Sequence, residues 1–473
     1  MVQRFIFLLI LLCVPRALAQ ALPELGDSSG AAIAPADERR LGESIMREIR
    51  RDPSYLDDPE VADYANSLGS RLTTRSDSAR QEFEFFVIRD PQINAFALPG
   101  GYIGIHTGLI LAAQSESEVA GVVAHEIAHV TQRHIARMIN QQGQNQLMSI
   151  AALAVAILAA RSNSQIGEAA IAFGQAGVMQ SQLNFTRDNE READRMGLQF
   201  LDGAGFDPRG MAVFFERMQR ATRVYEGGAP SYLRTHPLTY ERIADIQNRI
   251  ENLPYRQVPD SLEFQLIRAK LRAEVDAPRD AVAFFEASLA DRKFLSETAS
   301  RYGLVTSLIR ARDFARAQRE IVPLRKTPSA IIENLACQLA GAMGGMDQTL
   351  KCYQDARRAY PGYRALFYGH AEQLLRMGQP AAALQLIDVR LQAQPEDARL
   401  YQLQAQAYAA QGNRLLQHRA QSEAYVRTGQ LGAAVEQLQI ALKTGQGDFY
   451  QMSAIEARLR DLRRLQAERD RKR

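Results

Sequence analysis

The chain has no tryptophan, only three cysteines among its 473 residues, and little net charge. Lysine and arginine number 57 against 54 acidic residues, so the formal net charge is +3. The sequence lacks a basic stripe interleaved with aromatic residues, and nothing in it therefore favours a nucleic-acid partner. Hydrophobic residues make up 46% and charged residues 23%, as in folded soluble proteins, and the length predicts two or three domains.

Apolar runs long enough to span a bilayer, which takes about 20 residues in a helix, are also missing. The N-terminal stretch MVQRFIFLLILLCVPRALAQ has Arg4, a short apolar run and then Ala17-Leu18-Ala19. This order is typical of a secretory signal, so we predict a signal peptide over residues 1–19, with a membrane anchor as the alternative. Cys13 follows a leucine rather than a small residue, which argues against a lipoprotein.

A second apolar run, MSIAALAVAILAA at residues 148–160, is 13 residues long. It falls short of the roughly 17 residues of the shortest membrane spans. We predict a buried helix or a mobile flap over a cleft, with contact to a membrane surface as an open alternative.

Export would leave two cysteines, Cys337 and Cys352, in an oxidising compartment that permits a disulfide between them. They flank three glycines that predict the turn of a helical hairpin. Two buried free thiols are the alternative. Neither cysteine lies near a histidine in the sequence, which disfavours a catalytic cysteine.

The chain divides near residue 255. Five of its seven histidines lie between His106 and His236, whereas the sequence beyond NLPYRQVPD, at 252–260, has an almost entirely helical pattern. We therefore predict one domain over residues 20–255 and a second over residues 262–473.

The second domain carries a repeat. Three prolines and three glycines recur at intervals of 33 or 34 residues: Pro328, Pro361 and Pro395, and Gly344, Gly378 and Gly412. A 34-residue period with a proline closing each unit is typical of tetratricopeptide helix pairs. Such pairs stack into a solenoid whose concave face suits extended peptides or partner proteins, and a helical bundle without repeats is the alternative.

The first domain mixes strands and helices. QEFEFFVIRD and GYIGIHTGLI alternate like strands, while Ser115 and Glu118 are spaced as a capping box that starts a helix at about Glu116. The predicted fold class is thus α+β but mainly α, with a small β-sheet followed by an all-α solenoid.

Within that predicted helix, GVVAHEIAHVT places His125 and His129 four residues apart, on one helical face. Neutral imidazoles suit zinc, and Glu126 can reach a water beside the metal without being a ligand. This is the division of labour in a zinc peptidase, where the glutamate is the general base. The alternative is a buried helix with a chance motif, but burying these polar side chains without partners would be costly.

The segment TRDNEREADRMG supplies a candidate third ligand. Glu190 and Asp194 are four residues apart on a predicted helix, so both can face the site, whereas Glu192 points elsewhere. Glu190 can bind the metal while Asp194 accepts a hydrogen bond from a ligand histidine. A charged, solvated helix face is the alternative.

HEIAH followed some sixty residues later by NEREAD resembles the zinc metallopeptidases related to HtpX and the CAAX prenyl proteases. The blocks NAFALPGGYIGIHTGL and THPLTYERI fit that family too. The resemblance implies a gluzincin-like fold and one Zn2+ per chain. It also implies that His125, His129 and Glu190 bind this ion and that Glu126 is the general base.

With the signal peptide in front and the repeats behind, the resemblance covers essentially the whole chain and implies a protein of the Gram-negative periplasm. It implies work on unfolded or stalled precursors of outer-membrane β-barrel proteins, alongside the machinery that assembles them. The alternative is a periplasmic chaperone or assembly scaffold that acts through its repeats, with the protease half mostly silent.

In zinc peptidases of this kind, an edge strand beside the metal helix pairs with the substrate backbone. The resemblance points to GGYIGI for this role, with an ordinary internal strand as the alternative. The residues are Gly100, Gly101, Tyr102, Ile103, Gly104 and Ile105.

His236 lies in SYLRTHPLTYERI, after a Gly-Gly pair at 227–228 and directly before Pro237. A loop that swings here can bring a neutral imidazole to zinc as a fourth ligand and leave no room for the attacking water. The resemblance points the same way, so we predict a regulatory latch. The alternatives are a donor to the transition-state oxyanion and a surface histidine without a role.

Overall fold

A computed structural model describes residues 33–74, 81–142, 187–224 and 231–471. The predicted signal peptide and the apolar run at 148–160 lie outside these ranges. Among the residues that the structure describes, no helix is long and apolar enough to cross a membrane.

The first half of the described chain contains nine helices and three strands. In chain order they are α1 (Pro35–Ile49), α2 (Pro59–Thr73), β1 (Glu84–Ile88), β2 (Ala95–Leu98), β3 (Tyr102–His106), α3 (Thr107–Ala112), α4 (Glu116–Thr131), α5 (His134–Gln142), α6 (Arg187–Gly203), α7 (Arg209–Val224), α8 (Ser231–Thr235) and α9 (Tyr240–Glu251). Helix α4 starts where the capping box predicts, because the Ser115 side chain accepts a hydrogen bond from the backbone N–H of Glu118. That prediction is confirmed.

The three strands form one sheet in the order β1-β3-β2. Strand β3 pairs parallel with β1 and antiparallel with β2, from Tyr102 opposite Leu98 to Ile105 opposite Ala95. Gly100 and Gly101 have φ of 79° and 89° and make the tight turn from β2 into β3, which a residue with a Cβ would strain.

The prediction of an edge strand at GGYIGI is therefore wrong. Tyr102, Ile103, Gly104 and Ile105 lie in the central strand, with hydrogen-bonded neighbours on both sides, while the two glycines before them form the turn. The alternation of the sequence correctly indicates a strand. Its place in the sheet depends on the path of the chain. After β1 the chain forms β2 at the opposite edge, and only then does β3 insert between the two, which a local sequence pattern does not encode.

Helix α4 runs through the centre of this half. Every residue from Glu116 to Val130 is buried, and α2, α6, α7 and β2 pack around it. A helix that is apolar on all sides is stable only in such a core. Gly197 lets α6 approach closely, because a Cβ there would lie 3.1 Å from the backbone nitrogen of His125.

The second half is all helical. Its helices are α10 (Leu262–Val275), α11 (Pro278–Ala290), α12 (Glu297–Arg310), α13 (Phe314–Leu324), α14 (Ala330–Ala342), α15 (Met346–Ala359), α16 (Arg364–Arg376), α17 (Pro380–Ala393), α18 (Ala398–Ala410), α19 (Arg414–Arg427), α20 (Leu431–Lys443) and α21 (Phe449–Arg471). Gly344, Gly378 and Gly412 each take positive φ at the turn inside a helix pair, which is why they recur at 34 residues. The predicted helical repeat is confirmed.

A disulfide joins Cys337 of α14 to Cys352 of α15. It links the two helices of one pair across the turn at Gly344. This is the disulfide that the two cysteines on either side of the predicted turn indicated.

The two halves meet in a buried set of polar contacts that we call the junction cluster, formed by Glu60, Lys270, Asn334 and Tyr363. Glu60, on α2, is 2% exposed. Its carboxylate lies 2.6 Å from the ammonium of Lys270 and accepts hydrogen bonds from Asn334, at 2.9 Å, and from the Tyr363 hydroxyl, at 3.1 Å. Three repeat-side groups thus converge on one carboxylate of the first half.

Candidate metal centre

Two helices bring the predicted ligands together. His125 and His129 project from one face of α4, and Glu190 projects from α6, which packs along it. One ligand atom from each of these three residues and one from His236 all lie within 4.8 Å of one another. Both histidines are fully buried, and Glu190 is 2% exposed. The four-residue spacing on α4 places both imidazoles on one side of the helix, as the sequence predicts.

The distances within this group match those around a tetrahedral zinc ion. His129 Nε2 lies 3.0 Å from His125 Nε2 and 3.4 Å from Glu190 Oε1, and His125 Nε2 lies 3.5 Å from Glu190 Oε2. Ligand atoms at zinc–nitrogen and zinc–oxygen distances of about 2.1 Å stand about 3.4 Å apart in a tetrahedron. Two imidazole nitrogens 3.0 Å apart with a carboxylate beside both of them can share a cation, so the residues fit the metal.

His236 completes the group. It follows the short helix α8, and its Nδ1 lies 3.4 Å from His125 Nε2 and 3.0 Å from Glu190 Oε1. The side chain is 3% exposed, and its ring stacks on that of Tyr232 at 4.7 Å between centroids. His236 is thus a candidate fourth ligand of the same group.

Glu126 lies beside the group without belonging to it. The nearest nitrogen of His236, Nε2, is 3.6 Å from Glu126 Oε1. Within the described parts of the chain, neither carboxylate oxygen of Glu126 has a hydrogen-bond partner of good geometry, although both are buried. Burial raises the pKa of this carboxyl above its usual range. The nearby His236 and His125 and the backbone N–H of Ala97 lower the pKa, but burial has the larger effect. A buried carboxylate with so few hydrogen-bond donors around it is suited to taking up a proton.

Arg242 holds the two acidic residues of α6 in place. Its guanidinium donates to both oxygens of Asp194, at 2.7 and 2.8 Å, and lies 2.7 Å from Glu190 Oε2. Asp194 in turn lies 3.0 Å from Nδ1 of His125, which leaves Nε2 of that ring for the metal. Arg242 also donates to the carbonyl of Pro237, at 2.9 Å, so it ties the segment after His236 to the site.

Sequence reasoning missed Arg242. One signal was available: Arg242 lies six residues after His236, within the block THPLTYERI. In the structure it lies on a helix beside two buried carboxylates. The sequence alone does not show that α9 packs against α6 and turns this side chain inward. Arg242 is only 2% exposed, and the carboxylates around it offset the cost of burying its charged guanidinium.

The electrostatics of the group favour positive charge at its centre. Burial opposes a charge on His125, but the carboxylates of Asp194 and Glu190 outweigh burial and raise the pKa of this ring to about 9. Burial would raise the pKa of Glu190, yet the histidines around it, His236 foremost, hold it well below the usual range. Burial keeps His129 neutral by holding its pKa well below the usual value. A zinc ion would supply the positive charge that the carboxylates attract.

A fourth histidine, His134, lies behind His129, and sequence reasoning did not predict a role for it. It is the first residue of α5, is fully buried, and places its Nδ1 2.9 Å from Nδ1 of His129. Its Nε2 lies 3.1 Å from the carboxylate of Glu192, which also pairs with Arg137 at 2.8 Å. Glu192 points away from the metal group, as predicted, but towards this histidine.

Strand β2, which is an edge strand of the sheet within the described ranges, borders the same site. The backbone N–H of His106 donates to the carbonyl of Asn94, so along β2 the hydrogen bonds to β3 alternate and the backbone groups of Ala95 and Ala97 point outward. The outward N–H of Ala97 faces Glu126. The carbonyl of Ile93, which precedes β2, accepts a hydrogen bond of 3.3 Å from the backbone N–H of Tyr232 in α8.

Known proteins resemble this chain over the part that holds the site. A model of peptidase family M48 matches residues 59–250, the range that holds all the groups above. The beta-barrel assembly-enhancing protease of Escherichia coli K12 is 32% identical over 456 residues, which are 95% of this chain and 92% of that protein. A putative beta-barrel assembly-enhancing protease of Vibrio cholerae is 39% identical over 321 residues, 66% of each chain.

A more distant relative and a solved structure complete the comparison. The mitochondrial metalloendopeptidase OMA1 of Schizosaccharomyces pombe is 32% identical over 227 residues, which are 47% of this chain and 62% of that protein. The tetratricopeptide domain of P58(IPK) overlaps 73% of this chain and 89% of its own, at 12% identity and a TM-score of 0.15, which is too low to carry an argument.

Proposed function

The chain belongs to peptidase family M48, among the beta-barrel assembly-enhancing proteases, and on this premise we propose that it is a zinc endopeptidase of the Gram-negative periplasm. In this proposal it acts on precursors of outer-membrane β-barrel proteins, aids their assembly and degrades those that stall. The observation that carries the proteolytic part is the buried group of His125, His129 and Glu190 with the uncommitted carboxylate of Glu126 beside it.

The chain's own residues divide the reaction between them. Zinc, when held by His125, His129 and Glu190, supplies a Lewis acid that polarises the scissile carbonyl and acidifies water. Glu126 takes the proton of the attacking water and returns it to the leaving amine. Asp194 and Arg242 hold the imidazole of His125 and the carboxylate of Glu190 in the orientation that ligation needs.

The edge strand β2, rather than the central strand, is the segment that we propose to pair with substrate. Its outward groups at Ala95 and Ala97 run along the side of the sheet that borders Glu126. Pairing with backbone groups would let the enzyme hold any extended chain with little regard to its side chains. This suits clients that are unfolded and varied in sequence.

His236 is the proposed restraint on this activity. Its Nδ1 lies 3.4 Å from Nε2 of His125 and its Nε2 lies 3.6 Å from Glu126, so His236 could serve as a fourth ligand to zinc and would then take the place of the attacking water. Helix α8 also donates to the carbonyl of Ile93 at the start of the edge strand. One movement of residues 231–236 would thus free both the metal and the strand that receives substrate.

The repeats are the proposed holding site for clients or for the assembly machinery. A cavity of about 380 Å3 lies where they meet α2, with charges of both signs on its wall, among them Glu372, Arg376 and Arg399. Holding a client there would raise its effective concentration at the cleft to the order of millimolar for a short connection. The domain boundary between residues 255 and 262 belongs to the same proposal, as does removal of residues 1–19 on export.

The test uses two unfolded substrates of equal length, a purified outer-membrane β-barrel precursor and a soluble periplasmic protein. We expect the full-length protein to cleave the precursor faster, and Glu126→Gln to cleave neither. Equal cleavage of both would contradict the client class but leave the peptidase standing. Cleavage by Glu126→Gln at the wild-type rate would contradict the mechanism itself.

A further inference from the structure

We propose that His134 is a positioning residue for the metal centre: it fixes the tautomer of His129 and connects that ligand to the carboxylate of Glu192. We call His129, His134 and Glu192 the histidine relay. The inference rests on the proposed function in one respect, since it takes His129 to be a zinc ligand. It assigns a role to a histidine that the reaction as described above does not use.

The distances allow one arrangement of protons along the relay. Nε2 of His129 faces the other ligand atoms, so a neutral ring that binds zinc there carries its proton on Nδ1. That proton points at Nδ1 of His134, 2.9 Å away, which must therefore accept it. His134 then carries its own proton on Nε2 and donates it to the carboxylate of Glu192 at 3.1 Å.

A break between two helices makes this contact possible. On a continuous helix, five residues correspond to a rotation of roughly 140° beyond a full turn, and His134 would point away from His129. Instead, Arg133 has φ of 53° and separates helix α4 from helix α5, so the two do not form one continuous helix. A left-handed residue directly after the C-cap also ends α12, at Arg312, and at Arg133 this ordinary helix end turns α5 so that His134 can face His129.

The two ligand histidines of α4 are thus supported in different ways. His125 faces the carboxylate of Asp194 directly, at 3.0 Å, deep in the core. His129 reaches its carboxylate only through a second imidazole, and that carboxylate, on Glu192, is 40% exposed and paired with Arg137. A histidine that a hydrogen bond holds in the correct tautomer binds metal more tightly. Removing its hydrogen-bond partner typically lowers the metal affinity by 10–100-fold.

The test measures zinc affinity of the full-length protein by competition with a chelator of known affinity, together with the rate of zinc release. For His134→Leu, which removes the acceptor but keeps a buried side chain, we expect a 10–100-fold loss of affinity. For His134→Asn, whose carbonyl oxygen falls where Nδ1 was, we expect affinity within about threefold of wild type. Rescue by asparagine separates positioning from packing, because asparagine fills the space less well than leucine does.

His370→Leu is the matched control, since His370 is also buried on a helix but lies in the repeats, beside Arg357. It should leave zinc affinity unchanged. Glu192→Ala serves if His134→Leu does not fold, because Glu192 lies at the surface; it should lower the affinity, whereas the exposed Glu241→Ala should not.

The outcomes separate this inference from the proposed function. Wild-type affinity in both His134→Leu and Glu192→Ala, with one zinc bound, overturns the relay and leaves the peptidase standing. Equal losses in His134→Leu and His134→Asn also overturn it, because they point to packing. A wild-type chain that binds no zinc overturns the peptidase, and the relay with it.

Discussion

The junction cluster and the metal centre both bury charged side chains, and they are built in opposite ways. At the junction cluster, the carboxylate of Glu60 receives an ammonium, an amide and a hydroxyl, all within 3.1 Å. At the metal centre, the equally buried Glu126 has no hydrogen-bond partner of good geometry among the described residues. Burying a charge with partners holds a structure together, whereas burying one without partners lowers stability and leaves a group ready for chemistry.

The largest effect should come from Glu126→Gln. We expect peptide cleavage to fall by about a hundredfold to ten-thousandfold, because the amide cannot take a proton. Zinc content should stay at the wild-type value. The free energy of unfolding should not decrease, since the substitution removes an unpartnered buried charge.

Cleavage of a quenched-fluorescence peptide, metal analysis and chemical denaturation measure these three quantities. Glu241→Gln, at an exposed carboxylate on α9, is the control and should match wild type in all of them. A loss of stability in Glu126→Gln comparable to that of a core substitution would remove the contrast between the two clusters.

The opposite result is expected at the junction cluster. Glu60→Leu should lower the free energy of unfolding by roughly 3 kcal/mol, because Asn334 and Tyr363 lose their shared partner and the buried Lys270 keeps only Asp58, at 2.5 Å. Activity on a small peptide should survive in the folded fraction. Urea denaturation measures the change, and Glu396→Leu, with a side chain that is 84% exposed, should change it by less than about 0.5 kcal/mol.

The disulfide sharpens the comparison on the repeat side. Replacing Cys337 and Cys352 together by alanine should cost about 3 kcal/mol at most, as expected for a closed loop of about 15 residues. Zinc affinity should not change, because the cysteines lie in the repeats, away from the metal group. Denaturation and metal titration of the same sample check both statements. A variant that loses zinc would contradict the second statement and would show that the disulfide in the repeats affects the metal group.

The smallest effect is expected from His236→Ala. If the closed arrangement holds between half and nine tenths of the molecules, opening it raises casein cleavage by about two- to tenfold and increases self-cleavage. Zinc should be retained by the other three ligands. A variant that is slower on every substrate would favour the oxyanion role instead, for which the loss is on the order of a hundredfold.

Local sequence patterns predicted the parts of the site that lie within one helix. The spacing of His125 and His129 and the capping serine before α4 each depend on residues close together in the chain. These features follow from helix geometry alone, and a sequence displays them directly.

The parts that the sequence did not reveal depend on contacts between distant elements. Strand β3 is central because the chain passes to the far edge first, and Arg242 reaches the site because α9 packs on α6. His134 was missed for another reason: five residues after His129 it is out of helical phase, and only the left-handed turn at Arg133 redirects it. A histidine just beyond a metal motif is the signal that could have raised the question.

The central claim, that the buried histidine group is a zinc site closed by His236, is tested most directly by X-ray absorption at the zinc edge of the purified full-length protein. We predict one zinc per chain with four nitrogen or oxygen ligands at about 2.0–2.1 Å. His236→Ala should keep the zinc and lose one imidazole from its scattering pattern. A folded, active protein without zinc, or a wild-type spectrum that His236→Ala leaves unchanged, would contradict the account.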